Sequence, residues 1–343
     1  MLNPAVRYLL DHLKQLVPEY TQLEPFRDRN LNNWRVAGAY NCSASTAQSF
    51  ILNVNPREYA GVIFAEAHHL LNQASEHRAH IFNFYNTQNE PSPSWLFVTL
   101  YYYSLYIAMA WTRVVNGGII YLDKDSIKQY CASSSGNIYA GAGAFKAALS
   151  SDESVGKYQV EVSKCKSSHF HEAVWIAVNN EIAQAANWTL SLSASRRQTP
   201  EEEVTLRALR LFGGLNFKDA LVWPSKLRNA INYRPGFSYR SIVTNNILRV
   251  GSRLRQKPFQ DFETLVAYGE SAKLNLKGVL HPADAPNESI DLLIAQSLIL
   301  EEFIEEALLE LCKSKELKSS AYSLRKRFNI KHCTIKNILT KRN

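Results

Sequence analysis

Apolar residues recur at helical spacing through most of this chain, and residues that start or stop helices bound the repeats. Asn3 followed by Pro4 reads as an N-cap and a first helical position, with Val6, Leu9, Leu10 and Leu13 forming one apolar stripe behind them. Asn55 and Pro56 open a long helix to about Phe84, in which Tyr59, Ile63, Leu70 and Leu71 face inward, and a polar run at 86–94 ends it. A second helix runs from about Pro93 to Val115, where Gly117 and Gly118 supply a stop. Two long helices joined by a short connection are expected to lie antiparallel. Further helices are predicted from about Phe170 to Ala186, from Thr199-Pro200 with Glu201, Glu202 and Glu203 in the first turn, and from Trp223-Pro224 to a stop at Pro235-Gly236. The clearest amphipathic pattern covers 287–312. There Ile290, Leu293, Ile294, Leu298, Phe303, Ile304, Leu308 and Leu311 alternate with acids and should pack on the central pair.

Period-two alternation is rarer. Tyr158, Val160 and Val162 set against Gln159, Glu161 and Ser163 predict one strand, the segment 133–143 is small and polar, and the Asn- and Arg-rich stretch 27–33 reads as a loop. The fold class is therefore mainly α: a helical bundle body with a small strand-containing insertion over 1–312, and a separate C-terminal piece over 313–343. A chain of 343 residues with 46% hydrophobic and 20% charged side chains can bury a sizeable core and is not of the disordered class.

Charge changes this picture once it is located. The net +8 is concentrated in 313–343, which holds ten Lys or Arg and one acid, for +9; the other 312 residues sum to −1. A basic end of this kind suits contact with nucleic acid, RNA or duplex DNA; the alternative is a solvated tail packed on the body. A second bias lies at 223–257, with eight basic residues and no acid. It reads either as an anion-binding surface or as a face that pairs with the Glu-rich helices.

Five cysteines, Cys42, Cys131, Cys165, Cys312 and Cys333, form no C-x-x-C pair and fit a reducing compartment. The first residues lack the uninterrupted apolar stretch of a signal peptide, so the expected location is cytoplasmic. Residues 95–112 carry no charge and approach the length of a membrane span. The hydroxyls of Tyr101, Tyr102, Tyr103 and Tyr106 and the absence of a flanking basic cluster favour a buried central helix and no membrane partner.

The C-terminal piece spaces Ala321, Leu324 and Phe328, then Asn329 and Ile330, then Ile335, Ile338 and Leu339 as two short helices about a turn. This resembles the helix-turn-helix family, whose second helix enters the major groove. The resemblance implies that Lys331, His332, Thr334, Lys336 and Asn337 face the groove and that Arg325, Lys326 and Arg327 meet phosphates.

The segment Lys226-Leu-Arg-Asn-Ala-Ile-Asn-Tyr-Arg-Pro-Gly-Phe-Ser-Tyr239 resembles the HEPN superfamily of small helical nucleases and nucleotide-binding domains. Those proteins carry an Arg, often followed by Asn, and a His further along the same helix. The resemblance implies catalytic positions at Arg228 and Asn229, with Tyr233 in the place of the His. Metal-free RNA cleavage must deprotonate a 2′-hydroxyl, stabilise the phosphorane and protonate the leaving oxygen. Arg228 could supply the charge; a phenol is a poor general base at neutral pH but can donate a proton. The alternative is that Arg228 pairs with an acid and Asn229 and Asn232 bond in the core. Residues 41–312 are also similar in order of elements to the YaaC-like proteins of bacteria: a long helix from Pro56, the Tyr-rich helix at 95–115, a Gly-rich patch at 136–143 with a strand after it, and a late apolar helix.

No phosphate loop or dinucleotide fingerprint is present, so no cofactor is predicted. Cys165, His169 and His171, or His77 and His80, or Glu66 and His69, begin metal-ligand sets that no further residue at a usual spacing completes. Two functions remain. One is a nucleic-acid-binding HEPN-like effector, a metal-independent endoribonuclease of toxin or antiviral type, acting as a homo-oligomer. The other is a non-enzymatic DNA-binding regulator or adaptor with a helical oligomerisation or sensing body.

Overall fold

A computed structural model describes residues 2–16, 30–38, 40–46, 48–84, 93–115, 117–132, 141–152, 157–233, 261–313 and 320–332. In chain order these form α1 (Pro4–Leu16), α2 (Leu31–Ala37), β1 (Tyr40–Ser45), β2 (Ser49–Val54), α3 (Pro56–Phe84), α4 (Pro93–Val114), β3 (Gly117–Leu122), α5 (Lys124–Tyr130), β4 (Gly143–Asp152), β5 (Lys157–Lys164), α6 (Phe170–Ser191) and α7 (Pro200–Arg210). After them come α8 (Trp223–Tyr233), α9 (Phe262–Asn275), α10 (Pro286–Lys313) and α11 (Ser320–His332). The protein is mainly α.

Helices α3 and α4 run antiparallel. Glu66, early in α3, holds Arg113, late in α4, at 2.8 Å, and His77 further along α3 packs on Tyr102 and Tyr106. The inner positions expected in α1, α3 and α10 are buried. Helix α10 lies against this pair: Ser297 Oγ donates to Ser104 Oγ at 2.7 Å, and the ring of Phe303 packs near Trp111. Deeper in the contact Arg78 Nη1 donates to Glu301 Oε2 at 2.6 Å, and the hydroxyl of Tyr103 donates to the same oxygen. A charge pair with an added hydroxyl donor satisfies groups that would otherwise be costly between three apolar helices. Among the described residues no helix is long and apolar enough to cross a membrane.

The strands correct the expected single strand in a small insertion. Among the described residues five strands form one antiparallel sheet in the order β1-β2-β5-β4-β3, assembled from chain before α3 and chain after α4. In its register Phe50 lies opposite Val162 and Leu52 opposite Val160, and these four side chains are buried with Val54, Phe145 and Leu149. Only β5 alternates legibly. Strand β1 reads Tyr-Asn-Cys-Ser-Ala-Ser, and β3 opens with Gly117-Gly118, which had been expected only to stop α4. Those glycines are required by close approach: a Cβ at Gly117 would meet the carbonyl of Ala147, and one at Gly118 would meet the guanidinium of Arg113.

The loop expected at 27–33 is also corrected. Asn30 Oδ1 accepts the N–H of Asn33 at 2.8 Å, capping α2, and Gly38 at φ 67° closes it; residues 27–29 lie outside the described residues. The expected start of α7 is found as a capping box, with Thr199 and Glu202 each accepting from the other's N–H. Arg196 donates to the Glu202 carboxylate and, with the Thr199 N–H, holds its pKa at about 2.

Candidate functional site

The basic helix α11 packs on α3, and its orientation differs from the expected one. Asn329 and Ile330, expected to form a turn, lie within the helix. Leu324, expected to face inward, is 62% exposed, whereas Arg325 and Asn329 are buried. Arg325 is therefore not available to phosphate. Its Nε and Nη2 donate to the Glu305 carboxylate at 2.6 and 3.1 Å, and its Nη1 donates to His68 Nδ1 at 3.0 Å. Because a guanidinium only donates, His68 carries its proton on Nε2. Burial, followed by the Arg325 charge, holds His68 well below the ordinary histidine pKa and keeps it neutral.

Lys326 is half-buried, Arg327 is exposed, and Lys331 and His332 end the helix. Thr334, Lys336 and Asn337, with the rest of the expected second helix, lie outside the described residues. Arg325→Ala should lower stability by roughly 2 kcal/mol, because a largely buried carboxylate loses both of its charge-assisted bonds. Arg327→Ala should leave the melting curve unchanged. Equal melting of both variants would show that the Arg325 contact does not hold the helix.

The second group of expected residues sits on α8. Trp223, Leu227, Ala230 and Ile231 bury one face of that helix, which leaves Arg228 half-buried at the edge and Asn229 and Tyr233 exposed. The three come together: Arg228 Nη1 donates to Asn229 Oδ1 at 3.0 Å, and the guanidinium carbon lies 5.5 Å from the Tyr233 ring and 5.8 Å from the Tyr101 ring. Its Nη2 reaches the Tyr102 hydroxyl at 3.4 Å, and its Nε is buried with no hydrogen-bond acceptor among the described residues. No described carboxylate pairs with Arg228, in contrast to Lys226, whose Nζ lies 3.0 Å from Glu172. The remaining cations of the basic stretch, at 234–257, lie outside the described residues.

Two further helices complete this cluster. His171 on α6 places Nδ1 3.1 Å from the Tyr101 hydroxyl, which also meets Ser225 Oγ at 3.0 Å and Trp175 Nε1 at 3.4 Å. The ring of Tyr102 stands edge-on to His171 and stacks on His77 of α3, with 6.0 Å between centroids in both contacts. Burial, and then the charge of Arg228, push His171 below the ordinary histidine pKa, so its imidazole is neutral at physiological pH. Sequence reasoning considered His171 only as a metal ligand beside Cys165 and His169. Among the described residues no three His, Cys, Asp or Glu side chains converge as a metal site.

Chemically the cluster offers a cation with no carboxylate partner among the described residues, a neutral imidazole, two accessible phenol groups and an exposed aromatic face. Comparison of the chain with protein-family models, with curated proteins and with solved structures finds no match.

Proposed function

We propose that the protein binds nucleic acid and that its α4–α6–α8 cluster acts on RNA as a HEPN-like, metal-independent endoribonuclease, of the kind that serves as a toxin or antiviral effector. The observation that supports this reading is the pairing of Arg228, whose charge is not neutralised by a described carboxylate, with the neutral imidazole of His171. In this reading His171 is the base, a role for which the Tyr233 phenol is poorly suited at neutral pH. Its Nε2 takes the proton of a 2′-hydroxyl, O2′ attacks the adjacent phosphorus, and the guanidinium of Arg228 stabilises the extra negative charge. The P–O5′ bond then breaks, and the leaving oxygen takes a proton from a phenol, Tyr102 or Tyr233. The products are a 2′,3′-cyclic phosphate and a 5′-hydroxyl. The exposed Tyr233 ring is a platform on which an unpaired base can stack. Lys326, Arg327 and the basic residues after them would add backbone attraction.

His171→Gln keeps a hydrogen-bonding side chain of similar reach but removes the base, and should cut cleavage of single-stranded RNA by roughly 10²-fold or more. The pH profile separates this from a structural effect. A base works only when neutral, and burial and Arg228 depress this one, so parental activity should fall on the acid side with a midpoint below about 6.5. That acid limb should be absent from the residual activity of His171→Gln. An acid midpoint above the ordinary histidine value, or an unchanged limb in the variant, removes His171 from the mechanism.

One observation favours a second reading, a non-enzymatic regulator or adaptor. The Arg228 guanidinium lies near two tyrosine rings, and such cation–π contacts can serve packing alone.

A further inference from the structure

Helices α7 and α9 both end at a cavity of about 460 Å3, open to solvent and walled by the turn that follows each helix. Four cations reach it: Arg207 and Arg210 from α7, Lys273 from α9, and Lys277 just beyond. The one acid in its lining is Glu270, and it is already engaged. Arg207 grips it through Nε at 3.0 Å and Nη2 at 2.7 Å and also reaches Glu263 at 3.3 Å. Arg207 thus holds both carboxylates, and Arg210, Lys273 and Lys277 are left without an ion-paired carboxylate among the described residues.

Lys273 is held in place by another group. Its Nζ donates to the main-chain oxygen of Arg210 at 2.6 Å, an acceptor freed by the end of α7. Burial, and less strongly the nearby Arg210, lower the pKa of this ammonium, although Glu270 opposes the shift. Three like charges around one concavity repel each other, and an anion among them would relieve that repulsion. The same wall has bare backbone at Gly214, whose φ of 67° suits glycine and where a Cβ would stand 3.6 Å from Lys273 Nζ. The floor is apolar: Leu211 and Leu276 are buried, Leu215 is half-buried, and Leu274 is left 68% exposed at the rim.

We propose that this cavity binds a phosphomonoester of nucleotide size, its phosphate held by Arg210, Lys273 and Lys277 and its less polar part lying on the leucines. A dianionic phosphate matches the excess of cations, and the volume accommodates more than a bare ion. The site shares no residue with the Arg228 cluster and does not depend on that cluster being catalytic.

The test is calorimetry and thermal unfolding of the full chain with adenosine 5′-monophosphate, inorganic phosphate and adenosine as probes. The monophosphate should bind and raise the melting temperature in proportion to its saturation, phosphate should bind more weakly, and adenosine should not bind. Arg210→Ala with Lys277→Ala removes two exposed side chains that make no described ion pair, so the variant should melt with the parent. Its affinity for the monophosphate should fall about tenfold or more. The charge-preserving pair Arg210→Lys with Lys277→Arg should retain binding. Absence of binding at millimolar monophosphate, adenosine binding as well as its phosphate, or undiminished affinity in the alanine variant would each overturn the proposal.

Discussion

Arg228→Ala is expected to abolish RNA cleavage, or the toxicity that follows from it, while the melting temperature stays within a few degrees of the parent. The guanidinium lies at the edge of α8, and its visible contacts are a neighbouring amide, a long hydrogen bond to Tyr102 and two ring contacts. Half-exposed contacts of this kind contribute roughly 0.5–1 kcal/mol each. A positive charge aimed at a developing phosphorane contributes in the transition state and not in the resting fold. Removing it should therefore cost about 10²–10³ in rate. Arg228→Lys should recover only a small fraction, because an ammonium cannot hold two phosphate oxygens in a fixed fork. Melting of Arg228→Ala well below the parent, with no cleavage by either protein, would make Arg228 a packing residue and leave the adaptor reading in its place.

The largest effect on stability is expected from Arg78→Ala. This substitution leaves the Glu301 carboxylate buried between α3, α4 and α10, with only the Tyr103 hydroxyl donating to the oxygen that Arg78 had held. Breaking a buried pair from one side costs about 3–5 kcal/mol, which lowers the melting temperature of a chain this size by roughly 5–10 °C. The surroundings make the charge harder to keep. Burial, together with Glu301, Glu306 and Glu305, already raises the carboxyl pKa of the adjacent Glu302 to about 8.

Adding Glu301→Gln in an Arg78→Met background removes the stranded charge, leaves an acceptor for Tyr103 and should restore most of the loss. A deficit unaffected by the second substitution would mean that lost packing, and not stranded charge, carries the effect.

The helices were legible because a helix declares itself locally. A 3.6-residue apolar period and a cap within four residues locate α1, α3, α7 and α10 from neighbouring residues alone, and Thr199 with Glu202 forms the reciprocal cap that its spacing predicts. Sheets are not local in that sense. Strands β1 to β4 lack clear alternation, and their pairing joins chain on both sides of the α3–α4 pair, so burial at Phe50 or Phe145 depends on partners distant in sequence.

The candidate site divides the same way. Arg228, Asn229 and Tyr233 were singled out through the resemblance of one segment to the HEPN superfamily, and all three lie on one helix. His171 was invisible as their neighbour, since it lies on another helix and meets them only when α4, α6 and α8 pack. The C-terminal helix shows the converse: charge and apolar spacing located it, and Phe328 does pack partly buried on the body, but Leu324 faces out. Glu305 and His68 on other helices, which that spacing could not show, meet Arg325 and bury it. Periodicity thus located the long helices and the sequence showed where charge accumulates, while α2, α5 and α9 went unread. Which polar groups meet was decided only by tertiary packing, because a buried guanidinium must find its carboxylate wherever the fold brings one.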